Sequence, residues 1–334
     1  MGQVDIVVPA FNEAVSIPVL YERLSAMAAG EKKHDFRFLI VDDGSKDETP
    51  NVVRKLSMVD PRVKLYQLSR NFGHQAALSA GLDHADGDAV IFLDADLQHP
   101  PEVVPTLLRK WEEGAQIVDT KRIENNHRAK LSGAMSNTFY RVINLLSEVQ
   151  LEQGTGDFRL LDRSAANALR QVKERARFLR GLVQWIGFRH ALVEYLPESR
   201  FAGETKFSFS SLLRLAFDGL YSFSSVPLRV ATWLGGITTS GAFLYGLYVL
   251  YEKFFTDNLI AGWTSLMVVT LFIGGATLVV LGILGGYIGR IYEEVRARPV
   301  YLLQEQPPQK SAIVAQLVSP VSPLKPTPTQ SPPV

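Results

Sequence analysis

Cysteine is missing altogether from the 334 residues. That absence removes disulfides, thiolate metal sites and cysteine nucleophiles. A secreted domain stapled by disulfides is excluded, and a reducing compartment is allowed. An excess of charge of either sign is missing too. Lys and Arg number 35 against 34 Asp and Glu, a formal net charge of +1, which argues against nucleic-acid binding by bulk charge. No G-x-G-x-x-G follows the first apolar run and no G-K-[ST] occurs anywhere, so a dinucleotide dehydrogenase and a P-loop NTPase are disfavoured. The 6 histidines are scattered, without zinc-ligand spacing.

Apolar residues, by contrast, make up 46% of the chain, and the mean hydropathy of +0.05 is high for a purely soluble protein. They are unevenly placed. Val230–Tyr251 is a run of 22 residues without a charge, and Asn258–Gly289 a run of 32. About 20 apolar residues cross a hydrocarbon core of roughly 30 Å, so two spans are expected, at about 230–252 and 264–289. Gly235, Gly236, Gly274 and Gly275 suit close helix contact in lipid. Trp233, Tyr251, Trp263 and Tyr287 stand near the ends, where amphipathic rings prefer the interface. Arg214 and Arg229 precede the pair and Arg290, Arg296 and Arg298 follow it, so the positive-inside rule puts the N-terminal domain and the C-terminus in the cytoplasm. Met1–Ala10 shows a strand pattern and no signal peptide. The stretch 304–334 holds 8 of the 18 prolines and reads as a disordered tail.

In the N-terminal domain, Val4–Pro9, Phe36–Val41 and Ala89–Leu93 are short apolar runs, separated by the helical patterns Ile17–Ala28, Asn51–Leu56 and Gln75–Leu82. Such alternation predicts an α/β fold with a parallel sheet, whose ligands bind beyond the carboxyl ends of the strands. The residues there are Pro9 to Glu13, Asp42 to Ser45, and Asp94 to Gln98. So many carboxylates on one edge repel each other unless a cation or a donor-rich ligand joins them. Asp94 and Asp96 with the amide of Gln98 offer the hard oxygen ligands that Mg²⁺ or Mn²⁺ prefers, and such an ion commonly completes its shell with substrate phosphates. Asp83, Asp86 and Asp88 read as a solvated turn, and His99-Pro100-Pro101-Glu102 as a helix start.

Six blocks stand in order: V-V-P-A-F-N-E-A (Val7–Ala14), V-D-D-G-S-K-D-E-T (Val41–Thr49), R-N-F-G-H-Q-A-A-L-S-A-G-L (Arg70–Leu82), G-D-A-V-I-F-L-D-A-D-L-Q-H-P-P-E (Gly87–Glu102), G-T-G-D-F-R-L-L-D-R (Gly154–Arg163) and R-F-A-G-E-T-K-F (Arg200–Phe207). In these blocks the chain resembles the family 2 glycosyltransferases of GT-A (Rossmann-like) fold. With two C-terminal spans it is most similar to the polyprenyl-phosphate glycosyltransferases, which include bactoprenol glucosyltransferases and, more distantly, dolichol-phosphate mannose synthases. The resemblance covers Gln3 to Arg298.

It implies a domain plan of 1–170 for the GT-A nucleotide-sugar-binding domain, 171–229 for juxtamembrane helices and an acceptor loop, and 230–290 for the transmembrane pair. It also implies roles. Pro9, Ala10, Asn12, Glu13 and Asp42, with Asp94, would hold the nucleotide sugar; Asp94, Asp96 and Gln98 the divalent ion. Asp157 would be the acidic residue near the attacking group, catalytic together with Asp94 and Asp96. Arg122, Arg200 and Lys206 would meet the lipid phosphate. The Q-x-x-R-W block of processive synthases is absent, with Gln184-Trp185 its nearest approach, which favours a single transfer over polymer synthesis.

The implied reaction is inverting transfer of one sugar, glucose from UDP-glucose, to undecaprenyl or another polyprenyl phosphate at the cytoplasmic face of the cell membrane. Mannose from GDP-mannose and a non-catalytic scaffold for lipid-linked sugar export are the alternatives. Self-association is left open. For Asp157 two roles are weighed: positioning the acceptor, or general base. Between Arg175 and His190, Phe178, Leu182, Trp185 and Ile186 share one helical stripe flanked by Arg175, Arg177, Arg180 and Arg189. An interfacial helix is the expected reading, with a core-facing helix as the alternative.

Overall fold

The computed structural model describes residues 2–123, 155–172, 174, 179–198, 226–255 and 262–304. Arg200, Lys206, Phe178, most of 171–229 and the tail from 305 lie outside the described residues.

Four strands pair in parallel: β1 (Gly2–Ala10), β2 (His34–Asp42), β3 (Val63–Gln67) and β4 (Ala89–Phe92). Their crossovers are α1 (Ser16–Gly30), α2 (Thr49–Val59) and α3 (His74–His84). β1 buries Val4, Ile6, Val7 and Val8 in succession, because helices cover both faces of the sheet. On α1, Ile17, Leu20, Leu24 and Met27 recur at helical spacing and face the strands. α3 lies so close to β1 that a Cβ on Gly81 would come within 2.1 Å of Val7 Cγ1. The predicted strands and helices fall on β1, β2, β4 and α1 to α3.

Beyond β4 the all-parallel expectation is corrected. The seven-stranded order is β3-β2-β1-β4-β6-β5-β7. β6 (Thr155–Asp162) runs antiparallel between β4 and β5 (Ile117–Arg122), while β7 (His190–Tyr195) is parallel to β5. The reversal has a consequence for the site: the N-terminal end of β6 shares an edge with the carboxyl ends of β1, β2 and β4. α4 (Val104–Glu112) follows a 3₁₀ turn at Pro101–Val103, as the His-Pro-Pro-Glu pattern predicts. Asp162 caps α5 (Arg163–Gln171), its carboxylate accepting from Ser164 N at 2.8 Å.

The sheet domain also continues past residue 170. α6 (Leu179–Trp185) buries Leu179, Leu182 and Val183, and β7 then extends the sheet. The stripe expected at a membrane surface is therefore divided: Leu182 packs in the core while Trp185 stays 62% exposed. Asp86 and Asp88 are not merely solvated. Asp86 pairs with Arg37, and Asp88 accepts from Gln3 N at 2.9 Å and lies 3.1 Å from Arg163.

At the C-terminus, α7 (Val226–Phe255) packs on α8 (Trp263–Val295). One described helix is long and apolar enough to cross a membrane, over Leu266–Arg296. α7 is less apolar, since Gly235, Gly236, Thr238, Thr239, Ser240 and Gly241 dilute its centre. After α8 the chain turns at Ala297 (φ 53°) and returns to the sheet domain. Leu303 forms an antiparallel bridge with Leu68 just beyond β3. Ser69 N donates to Leu302 O and Gln304 N to Gln67 O, both at 2.8 Å. Tyr301 Oη donates to Asp83 at 3.1 Å. This strap covers the end of an edge strand that would otherwise expose unpaired amides.

Candidate active site

The loops after β1 and β2 are laced to each other. Ala10 O accepts from Asp43 N at 2.8 Å, continuing the β1–β2 register that places Pro9 beside Val41 and Ala10 beside Asp42. Asn12 takes a left-handed φ of 58°. Its N–H donates to Ser45 Oγ and its side-chain oxygen accepts from Lys46 N, both at 2.9 Å. Glu13 N donates to Thr49 Oγ1 at 2.8 Å, and the Glu13 carboxylate accepts from Ser16 Oγ. Asn12 and Glu13 thus tie the two loops into one wall at the sheet edge. Gly44 (φ 68°) admits no side chain, because a Cβ would stand 2.4 Å from the Arg70 carbonyl carbon.

Two buried carboxylates face this wall. Asp43 accepts from Phe72 N at 2.7 Å and Gly73 N at 2.9 Å. Asp42 accepts from Ser45 N at 3.3 Å through Oδ1, while its buried Oδ2 has no hydrogen-bond partner among the described residues. Burial pushes both carboxyl groups up. An orphaned buried oxygen is costly alone and is satisfied by a ligand donor.

The β4 end carries the next group. Leu97 adopts a left-handed φ of 62°, and Gln98 N donates back to Asp96 Oδ1 at 3.1 Å. Asp94 Oδ2 lies 3.0 Å from Nε2 of the fully buried His99, whose Nδ1 is 2.6 Å from Tyr195 Oη. Arg122, at the end of β5, closes the cluster. It donates to Tyr195 Oη at 3.1 Å and to Gln98 Oε1 at 3.3 Å, and its Nη2 lies 3.1 Å from His99 Nε2. Burial alone would raise the Asp94 carboxyl, but the His99 hydrogen bond and the charge of His74 hold it below the ordinary range.

Because Phe92 pairs with Arg159 across the antiparallel β4–β6 ladder, Asp157 enters the site opposite Asp94. His74 bridges the two carboxylates, its Nε2 3.3 Å from Asp157 Oδ2 and 3.6 Å from Asp94 Oδ1. Arg180 grips Asp157 bidentately, Nε to Oδ1 at 2.8 Å and Nη2 to Oδ2 at 2.9 Å. Gln75 Nε2 adds a fourth donor at 3.3 Å. Burial would raise the Asp157 carboxyl, yet the bonds and charges of His74 and Arg180 outweigh it and hold the group far below the carboxylate range. His74 in turn is pushed up: the bond to Asp157 and the charge of Asp94 overcome desolvation. Behind it, Asp119 meets Arg159 at 3.3 Å and accepts from His190 at 2.8 Å and Gln184 at 3.2 Å.

Of the predicted site residues, Asp94, Asp96, Gln98, Asp157 and Arg122 converge on one sheet edge, with Pro9, Ala10, Asn12, Glu13 and Asp42 at the neighbouring strand ends. Among the described residues no three His, Cys, Asp or Glu side chains form a ready-made metal cluster. Two carboxylates and an amide oxygen are nonetheless a hard donor set, suited to a dication whose shell a diphosphate completes.

A family model described as glycosyl transferase family 2 matches residues 5–170. The Bacillus subtilis glycosyltransferase YkcC is 42% identical over 303 residues, spanning 91% of this chain and 94% of the relative. The chain belongs to glycosyl transferase family 2. A prophage bactoprenol glucosyl transferase homolog of Escherichia coli is 39% identical over 302 residues, spanning 90% of this glycosyltransferase and 98% of the relative. Among solved structures, glucosyl-3-phosphoglycerate synthase of Mycobacterium tuberculosis with Mn²⁺, UDP-glucose and phosphoglyceric acid superposes with a TM-score of 0.44 at 17% identity, covering 66% of this chain and 78% of that one. The mixed seven-stranded sheet and the match to glycosyl transferase family 2 make the fold GT-A-like mixed α/β.

Sequence reasoning missed His74, Gln75, His99, Arg180 and Tyr195 as members of the site. His74 and His99 did carry a signal, since each adjoins a family block. Arg180 carried a partial one, as one of four arginines flanking an apolar stripe expected at a membrane surface, whereas Tyr195 carried none, because its run does not read as a strand of the sheet.

Proposed function

We propose that this glycosyltransferase moves one glucosyl group from UDP-glucose to a polyprenyl phosphate, with inversion, beside the cytoplasmic face of a membrane. The observation that carries the reading is the division of one sheet edge into two chemistries. Asp94, Asp96 and Gln98 form an oxygen set for a diphosphate-bound dication, and Arg122, His74 and Arg180 form a cation set for a second phosphate. The relatives named bactoprenol glucosyl transferase support both the sugar and the lipid class. The apolar helix Leu266–Arg296 supplies a membrane anchor, and the uncharged centre of α7 makes a two-helix hairpin with both termini cytoplasmic the fitting topology.

Asp42 Oδ2 offers an acceptor to a donor of the nucleoside. Asp94, Asp96 and Gln98 would hold Mg²⁺ or Mn²⁺, which when bound supplies charge neutralisation on the leaving diphosphate. An acceptor phosphate oxygen bonds to the anomeric carbon while the bond from that carbon to the diphosphate oxygen breaks, and UDP leaves with the electron pair. A phosphate monoester has its second pKa near 6 and is mostly dianionic at pH 7, so no proton needs to be removed from it. Arg122 and His74 counter the repulsion between that dianion and the carboxylates around it.

The test is incubation of the full chain in detergent with labelled UDP-glucose or GDP-mannose and either undecaprenyl phosphate or undecaprenol, with and without EDTA. The expected product is acid-labile undecaprenyl-phosphoryl glucose, formed from UDP-glucose and abolished by EDTA. Transfer from GDP-mannose alone, to the alcohol alone, or to neither acceptor would overturn the reading.

A further inference from the structure

We propose that Arg180 is a binding residue for the acceptor phosphate, and that Asp157 is the anchor presenting it rather than the group that accepts a proton. The inference rests on the glycosyl transfer proposed above and names the side chain on which the acceptor docks.

A carboxylate has about four lone-pair sites, and Asp157 meets four donors: two from Arg180, one from Gln75 and one at His74. Little accepting capacity is left for a substrate proton. Nor does the chemistry require one to be taken, because the attacking phosphate is already ionised. What Asp157 does is fix a guanidinium. Its own side chain is 5% exposed, whereas that of Arg180 is 35% exposed, so the cation is the member of the pair that meets the open edge. Arginine in a planar bidentate grip is oriented as well as charged, the geometry that suits phosphate recognition.

The position is also right. Asp157 and Asp94 each lie two residues beyond the Phe92–Arg159 end of the β4–β6 ladder, and His74 spans the two. A cation fixed by Asp157 therefore stands beside the β4 carboxylates and offers a second phosphate the opposite charge. Arg122 approaches the same space from β5 through Gln98 and His99. Two arginines from separate elements would thus flank one phosphate. Arg180 stands on α6, whose Leu179, Leu182 and Val183 are buried, so its backbone is held by the core.

Steady-state kinetics of Arg180→Gln, Arg180→Lys and Asp157→Asn in the full chain test this, with UDP-glucose and undecaprenyl phosphate varied separately. Arg180→Gln should raise KM for undecaprenyl phosphate at least tenfold and leave KM for UDP-glucose within twofold; Arg180→Lys should fall between it and wild type. Asp157→Asn should lower kcat without removing the acidic limb of the pH profile, the limb a general base would produce. An unchanged acceptor KM in Arg180→Gln, an equal loss for both substrates, or recovery of Asp157→Asn at high pH would overturn the proposal. A second measurement separates this from the parent reading: calorimetric binding of a short-chain prenyl phosphate and its alcohol, with no sugar donor present. If wild type forms no glycosylated lipid yet binds the phosphate through Arg180, the transfer reading fails and the docking site stands. If it forms product and Arg180→Gln binds the phosphate as wild type does, the docking site fails alone.

Discussion

In the parallel half of the sheet, Asp42 and Asp43 are buried against backbone amides, and burial pushes their carboxyl groups up. In the mixed half, Asp119 and Asp157 are equally buried, yet each meets an arginine and a histidine and is held down. The same residue type is thus used in two opposite ways. The parallel half keeps carboxylates whose electrostatic compensation arrives with a ligand. The mixed half is neutralised from within, and the charge it turns outward is positive. On the reading proposed above, a diphosphate and a monophosphate would each meet one of these surfaces. The antiparallel β6 sets the two side by side, with His74 Nε2 3.6 Å from Asp94 and 3.3 Å from Asp157.

Breaking the mixed half should have the largest effect on the fold. Asp119→Ala leaves Arg159 buried without its counter-charge, which typically costs roughly 3–5 kcal/mol; the thermal midpoint in detergent should fall by several degrees. A midpoint equal to wild type would mean that the pair is not the internal compensation described. Breaking the parallel half should instead spare the fold and remove activity. Asp96→Asn is expected to lower kcat/KM on the order of 10²–10³-fold, the effect of losing one electrostatic element of a transition state, with the midpoint unchanged. Activity restored by excess Mn²⁺ would sharpen this to a loss of metal affinity, whereas full activity without added metal would refute it.

The smallest effect is the most diagnostic. Asp42 has a raised carboxyl pKa in the fold, so its destabilising contribution is absent below the unfolded value of 3.8 and develops as pH rises through the folded one. Asp42→Asn should therefore match or exceed wild type in thermal midpoint at pH 7, and the difference should vanish near pH 4. UDP affinity should meanwhile drop by about tenfold, the equivalent of one hydrogen bond to a charged group. For Asp119, with a lowered pKa, the sign is opposite: its stabilisation is present above 3.8 and fades as pH falls further. The stability gap between Asp119→Ala and wild type should consequently narrow in acid.

The parallel half was legible because its strands are mainly apolar runs, interrupted by Asp5 and Arg37 in the first two, and are followed at once by acidic loops. Val4–Pro9, Phe36–Val41 and Ala89–Leu93 needed only the rule that buried parallel strands read as hydrophobic. The mixed half resisted for a physical reason. β5 reads I-V-D-T-K-R and buries Asp119 and Thr120, while β7 reads H-A-L-V-E-Y and exposes alternate residues at the sheet edge. Neither pattern announces a strand, and periodicity does not show which way β6 runs. The site partners follow the same logic. Asp94 and Gln98 stand within five residues of each other, but Tyr195 reaches His99 across 96 residues, a contact only the closed sheet creates. Arg180 looked like part of a membrane-facing stripe because its neighbours alternate basic and apolar residues. The core, not a bilayer, takes Leu179 and Leu182.

The strap that follows α8 gives the sheet domain a second mooring line. Seven residues, and so eight Cα–Cα steps, separate Val295, the last of α8, from Leu303. An extended chain covers at most about 3.5 Å per residue, so this end of the sheet stays within roughly 28 Å of the helix. A body moored at two points holds a heading that one on a single linker loses. Its active edge keeps one bearing relative to the helix pair. The attachment is at Gln67, Leu68 and Ser69, immediately before the loop whose Phe72 and Gly73 amides hold Asp43. The chain leaving α8 is therefore made fast beside the loop that holds Asp43, and removing residues 301–304 would free that edge of the sheet from its second tether.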